Sequence, residues 1–320
     1  MEKRRVFTLK SKTVLNRVAA PSMPFTWSIN PYRGCSHGCA FCYARDTHTY
    51  IGMGTDDTFR THLFVKADAP ALLQRELAKG KWKGGWVAIG TATDPYQPLE
   101  KQRQITRGIL EVLALYRIPV TITTRSPLIL RDVTLLQELG RYAGCSVNIS
   151  INTLDVQVWR SIEPESPHPE SRFAAVRQLR EVGIRTGIFL APVLPFLTDD
   201  LSTLQTLLQR AREADASFVV ASLLRLKPEV KQWFFQQLEC QFPDKVPLYR
   251  SLYRGTYVDP QYAKRFREKI APLLEQYGYA KAPVTREDGV SPTMQASMQA
   301  TVRPSGRSPV GNQEQLSFAF

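Results

Sequence analysis

The sequence predicts an α/β fold of parallel strand–helix units, and three observations carry that reading. Short β-branched or aliphatic runs alternate with longer segments whose apolar residues recur at three and four positions. The 320 residues are 43% hydrophobic and 22% charged, the composition of a folded chain, and their number suits one α/β barrel with extensions or two ordinary domains. The unusual residues fall just after the strands, where folds of this class gather their chemistry.

Six strands are expected, over residues 25–30, 86–90, 120–124, 146–151, 185–190 and 217–221. Between them lie helical segments over 69–78, 105–116, 131–142, 170–182 and 201–214. Leu135, Leu136 and Leu139 share one helix face, as do Phe173, Val176 and Leu179, and Leu204, Leu207 and Leu208. Gly183 stands where a helix C-terminus favours glycine, and Asp200 precedes its helix as an N-cap. Such alternation makes either a doubly wound sheet or an incomplete barrel. Two further helices, 229–240 and 261–277, follow and suit the open edge of a barrel. From Lys281 the composition shifts to Pro, Ser, Thr, Gln and Gly, and residues 281–312 read as a flexible tail.

The formal net charge is +13, of which residues 281–320 carry only +1. The first twenty residues hold six basic groups against Glu2. That excess favours a polyanionic partner, nucleic acid being one, although a solvated basic surface gives the same count. No apolar run approaches the roughly 20 residues of a membrane span, and no apolar stretch follows the basic N-terminus as a secretory signal requires. A cytoplasmic location without a membrane partner is the expectation.

There are five cysteines, and three crowd into eight residues: Cys35, Cys39 and Cys42. A disulfide framework would use an even set in a small secreted chain. The spacing C-x3-C-x2-C lets three thiolates take three irons of a 4Fe-4S cubane and leave the fourth iron open to a ligand. Gly34 and Gly38 allow a tight turn around it. A structural zinc site with His37 or His48 as fourth ligand is the other reading of the same cluster.

With Phe41 just before the last cysteine, this motif resembles that of the radical S-adenosylmethionine (radical SAM) enzymes. The resemblance implies a 4Fe-4S cluster whose open iron chelates the methionine moiety of S-adenosylmethionine. It further implies a one-electron reductant of flavodoxin or ferredoxin type, a 5′-deoxyadenosyl radical that abstracts hydrogen, and a partial (βα)6 TIM-type barrel. The stretch Gly90-Thr-Ala-Thr-Asp-Pro-Tyr-Gln-Pro-Leu-Glu100, Ser150-Ile-Asn-Thr153, Glu163-Pro-Glu-Ser-Pro167 with Arg172, and Ala191-Pro-Val-Leu-Pro195 look like the spore photoproduct lyase-like group, within a poorly characterised branch. The implied division is a basic arm (1–24), the partial barrel (25–225), a helical cover (226–280) and a tail (281–320).

Thr91, Thr93 and Asp94 offer hydroxyls and a carboxylate at a strand end, suited to an ammonium group, though Thr-Asp-Pro-Tyr is also ordinary turn chemistry. Arg125 suits the methionine carboxylate where homologues often have lysine. The resemblance assigns ribose contacts to Ser150 and Asn152, and helix capping is the other use of Asn152. Phe41 and Tyr43 suit adenine packing or shielding of the cluster. Arg172 suits a ligand carboxylate or an ion pair with Glu163. Tyr96 is a candidate hydrogen relay, or simply a turn tyrosine.

True photoproduct lyases carry a hydrogen-donating cysteine at the end of the second strand, and here no cysteine lies between Cys42 and Cys145. Thymine photoproduct repair is therefore not expected, and Cys145 and Cys240 read as plain thiols. The terminal Gln315-Leu-Ser-Phe-Ala-Phe320 resembles the peptides by which repair and replication proteins dock on the sliding clamp. The functions in view are a radical enzyme acting on nucleic acid or a nucleotide, a radical maturase acting on a protein or small metabolite, and a non-catalytic zinc-binding nucleic-acid module.

Overall fold

A computed structural model of the chain describes residues 4–20 and 23–279. Its strands, in chain order, are β1 (Arg5–Thr8), β2 (Asn16–Arg17), β3 (Trp27–Ile29), β4 (Tyr32–Arg33) and β5 (His62–Val65), then β6 (Val87–Ile89), β7 (Val120–Thr124), β8 (Cys145–Ser150), β9 (Arg185–Val193) and β10 (Val219–Leu223). Seven of them form one sheet in the order β10-β9-β8-β7-β6-β3-β2. The first six of that row are parallel, and β2 runs antiparallel to β3 at the end. Among the described residues β10 and β2 do not pair with one another. The six parallel strands thus make an open, partial barrel.

The helices that return each strand are Ala69–Ala78, Ile105–Leu115, Val133–Tyr142, Pro169–Glu181 and Leu201–Glu213. Asp200 caps the last by accepting the Thr203 amide proton at 2.9 Å. Gly183, at φ +82°, takes the left-handed conformation that closes Pro169–Glu181. The helix expected from 131 begins at Val133, because Pro127–Asp132 winds as a tighter 3-10 turn and buried Asp132 is pinned by Arg107 at 2.9 Å and Arg131.

Strands β7 and β8 alternate two kinds of side chain. Val120, Ile122, Val147 and Ile149 pack outward with Leu110, Leu136, Leu139, Val176 and Leu179 in the main core. Each such leucine withdrawn from water stabilises the fold by about 1.5–3 kcal/mol. Thr121, Thr123, Asn148 and Ser150 point the other way and line a cavity inside the barrel. A barrel wall with polar residues at every second position is built to hold something other than its own core.

The N-terminal segment is stitched into the molecule. β1 pairs in parallel with β5, β4 pairs antiparallel with β5, and β2 edges the main sheet. Beyond β10, helices Pro228–Gln241 and Val246–Leu252 share a second apolar cluster with Cys39, Ala40 and Phe41, through Phe234, Leu238 and Tyr249. The third, Pro260–Gln276, packs against Leu201–Glu213 and β10. No helix among the described residues is long and apolar enough to cross a membrane. The peptide at 315–320 lies outside the described residues.

Candidate functional site

The cysteines sit on the loop that follows β4. Cys35 and Cys39 are buried, Cys42 is partly so, and all three are free thiols that line the barrel cavity. The loop is held by main-chain hydrogen bonds and by one fully buried cation. Arg45 donates from Nε to the Cys39 carbonyl at 3.0 Å and from Nη2 to the Gly38 carbonyl at 2.7 Å. Its Nη1 reaches the carbonyls of Asp56 at 2.6 Å and Thr55 at 3.2 Å. Phe59 and Trp233 cover its faces at 5.4 and 4.8 Å. Gly34 and Gly38 take φ +78° and +67°, and a Cβ on Gly34 would stand 2.7 Å from the His62 carbonyl. Burial pushes all three thiols above their ordinary value, Cys39 to about 12.

The turn after β6 is tied to this loop. Thr93 donates to the Gly34 carbonyl at 2.6 Å, and Gln97 accepts the Ser36 amide at 3.0 Å while donating back to Gly34 and Thr93. Asn30 grips the same turn through Thr91 Oγ1 at 2.9 Å and the Ala92 amide at 2.7 Å. Asp94 lines the cavity with both oxygens in use. Its Oδ1 accepts from Thr124 at 2.6 Å and the Tyr96 amide at 2.9 Å, and its Oδ2 accepts the Arg125 amide at 2.8 Å and lies 3.2 Å from His37 Nδ1. Burial alone would raise this carboxyl; His37 and the hydrogen bonds outweigh it and hold Asp94 at about 2. His37 is itself buried, and its Nε2 has no hydrogen-bond partner among the described residues.

Arg125, at the end of β7, lines the cavity and lies 5.5 Å over the Phe41 ring. Its Nε is held by Glu163 at 3.0 Å, and no hydrogen bond engages its two terminal nitrogens among the described residues. Glu163 is wholly buried and takes Arg172 on its other oxygen at 2.5 Å. Burial opposes its ionisation, but the two arginines win and hold it at about 2.

Cys35, Cys39, Cys42, Phe41, Tyr43, Thr91, Thr93, Asp94, Arg125 and Ser150 thus share the lining of one cavity of about 350 Å³. Three expected residues do not reach it. Tyr96 is fully buried behind the turn, and its hydroxyl meets Asp132 at 3.1 Å, so it faces no ligand space. Arg172 is spent on Glu163, the Ser150 carbonyl at 3.0 Å and the Pro167 carbonyl at 2.8 Å, and it serves structure. Asn152 is buried beyond the end of β8, outside the lining, and caps no helix, the next one being capped by Asp155 at 2.9 Å. Conversely, Arg45, Gln97, Asn148, Arg225 and Tyr257 hold or line the site without having been anticipated. Polar residues at alternate positions of a buried strand, Ser146, Asn148 and Ser150, were a usable signal for one of them. Nothing local marks Arg225 and Tyr257, which come together only in space.

Three thiols, a basic fork and strand-end hydroxyls share one cavity of a partial barrel, a donor set that fits an iron–sulfur cluster with one open iron. Among the described residues no three Cys, His, Asp or Glu side chains converge to hold a single metal ion, as a closed zinc site needs. The model of the radical SAM superfamily matches residues 29–207, from the end of β3 into helix Leu201–Glu213. The chain belongs to that superfamily and is a radical SAM enzyme, whose cofactors are a 4Fe-4S cluster and S-adenosylmethionine. An uncharacterized protein of Mycobacterium tuberculosis is 37% identical over 271 residues, covering 84% of this chain and 80% of that protein. The radical SAM Nα-GlyT isomerase of Pseudomonas phage M6 is 25% identical over 167 residues, 52% of this chain and 32% of the isomerase. Spore photoproduct lyase complexed with dinucleoside spore photoproduct superposes with a TM-score of 0.61 at 16% identity, over 86% of this chain and 80% of that one. At that identity the likeness speaks for the fold. The cavity lining holds no cysteine beyond the three of the loop among the described residues.

Proposed function

We propose that this radical SAM enzyme takes a hydrogen atom from a nucleotide or from single-stranded nucleic acid. One observation carries the substrate class: at the cavity wall the Arg225 guanidinium lies 5.1 Å over the Tyr257 ring, and Thr256 and Lys227, the latter paired with Asp46 at 3.2 Å, line the same cavity. A cation next to an exposed aromatic face suits a phosphate joined to a planar base. The net charge of +13 supports the same class. The chain's fold is also that of a spore photoproduct lyase complexed with dinucleoside spore photoproduct.

In this reading Cys35, Cys39 and Cys42 would hold the cluster, and Arg125, Thr91, Asp94 and Ser150 would hold S-adenosylmethionine. When bound, these two supply hydrogen-atom abstraction driven by one electron, which a flavodoxin- or ferredoxin-type donor would deliver. Arg125 offers its two terminal nitrogens, unbonded among the described residues, to a carboxylate as a bidentate fork, its Nε already fixed by Glu163. Phe41 and Tyr43 keep bulk water from the cysteines, Tyr43 by a hydrogen bond to the Thr91 carbonyl.

Anisotropy of a labelled single-stranded oligonucleotide, titrated at several salt concentrations with anaerobically reconstituted enzyme, tests the substrate class. Log affinity should fall linearly with log salt, and Arg225→Ala should lower the slope by about 0.7, one phosphate contact. Failure of DNA and RNA alike to bind near physiological salt would remove the reading. Reduction should yield 5′-deoxyadenosine, and Cys39→Ala should abolish it.

A further inference from the structure

The inner wall of the barrel holds a polar atom with nothing to do. Asn148, on β8, is 3% exposed and lines the cavity. Its Nδ2 donates to Thr121 Oγ1 at 3.0 Å and to Thr123 Oγ1 at 3.2 Å, both on neighbouring β7 and both in the lining. Its Oδ1 is buried and has no hydrogen-bond partner among the described residues. A buried amide oxygen left unpaired costs about 1–3 kcal/mol, so such a group persists where a ligand pairs with it. The threonines, accepting from Nδ2, keep their own hydroxyl protons to donate. This patch therefore presents one acceptor and two donors.

The surrounding surface narrows what fits. Beside it on the barrel wall, Phe189, Ala191 and Pro192 of β9 and Val220 and Leu224 on and after β10 give the lining an apolar stretch. A ligand that covers both the apolar stretch and the polar patch has an apolar face and an edge bearing an N–H beside a hydrogen-bond acceptor, the description of a nucleobase. Asn148 stands two residues below Ser150 on the same strand, roughly 6.6 Å deeper in the barrel than the strand ends where the cysteine loop and Arg125 gather. That depth separates the patch from the cofactor's anchoring groups.

We propose that Asn148 Oδ1 is a specificity-determining contact for the substrate, accepting a hydrogen bond from an N–H of the substrate's base. The proposal rests on the nucleotide reading above and adds the atom that reads the base. A site built around an acceptor rejects a ligand that lacks the matching donor far more strongly than it senses a lost methylene.

The test uses reconstituted enzyme saturated with S-adenosylmethionine, titrated calorimetrically with short oligonucleotides of each base. The base bound best is then compared with its analogue in which the base N–H is replaced by N-methyl. The wild-type protein should bind the methylated analogue at least ten-fold more weakly. Asn148→Leu, similar in size and without hydrogen-bonding atoms, should erase that discrimination while leaving affinity for S-adenosylmethionine within about two-fold. Equal binding of the two oligonucleotides by the wild type overturns the proposal, and needs no variant to fold. A loss of S-adenosylmethionine affinity in folded Asn148→Leu also overturns it, by giving Oδ1 to the cofactor. If no oligonucleotide binds at all, the nucleotide reading fails, and this inference with it.

Discussion

Glu163 sits between Arg125 and Arg172 with no solvent around it, and its contribution is testable apart from catalysis. Removing one member of a buried ion pair leaves the others unpaired, so Glu163→Gln should cost on the order of 3 kcal/mol in urea denaturation. It should also weaken S-adenosylmethionine binding roughly ten-fold without changing iron content, because Arg125 loses its tether rather than its charge. The acid side follows from linkage. The folded-state value, about 2, is below the ordinary 4.5, so the stabilisation is present above pH 4.5 and is lost as pH falls toward 2. Wild type should lose stability over that window more steeply than Glu163→Gln, measured by denaturation at each pH.

At the scale of elements, the cysteine loop and the turn after β6 carry the site, and each depends on a residue that touches no ligand. Arg45 satisfies four carbonyls of its own loop and of the segment at 55–56. Lysine keeps the charge but not the fork. Arg45→Lys should lower cluster affinity roughly ten-fold, read as iron retained against a chelator. Gly90, at φ +96°, begins the turn, and a Cβ there would stand 2.4 Å from the Thr123 carbonyl and 2.8 Å from Pro95 Cδ. Gly90→Ala should cost about 2–4 kcal/mol in thermal unfolding and displace Thr91 and Asp94 with it. The sequence displayed both elements: the cysteine spacing, the strand-ending glycine and the Thr-Asp-Pro-Tyr turn are local patterns. It offered two uses each for Arg172 and Tyr96 and could not choose the ion pair with Glu163 and the buried turn position, since facing is decided by how helix Pro169–Glu181 and the turn seat against the sheet.

For the molecule as a whole, the open sheet leaves a cavity walled by strands far apart in sequence, and ligand binding there should couple to global stability. S-adenosylmethionine at about 100 times its dissociation constant should add about 2.7 kcal/mol to the cluster-loaded protein, seen as a raised calorimetric midpoint. Cys39→Ala should abolish that shift. The C-terminal helices take part in this unit, since Phe234, Leu238 and Tyr249 share an apolar cluster with Cys39 and Phe41. Phe234→Ala, a core truncation costing about 3–5 kcal/mol, should therefore reduce cluster retention although it lies some 190 residues beyond the cysteines in sequence.

The alternation of strands and helices, the three clustered cysteines and the excess of positive charge are legible along the chain. Each is a short-range or additive property: a period of three to four, a spacing inside eight residues, a count. Which polar residues meet is set by the folded chain. The register that sets Thr123 beside Asn148 leaves Asn148 Oδ1 unpaired among the described residues, and the packing that brings Arg225 over Tyr257 joins segments some thirty residues apart. Such meetings depend on the long-range pairing of strands and loops, which no local pattern encodes.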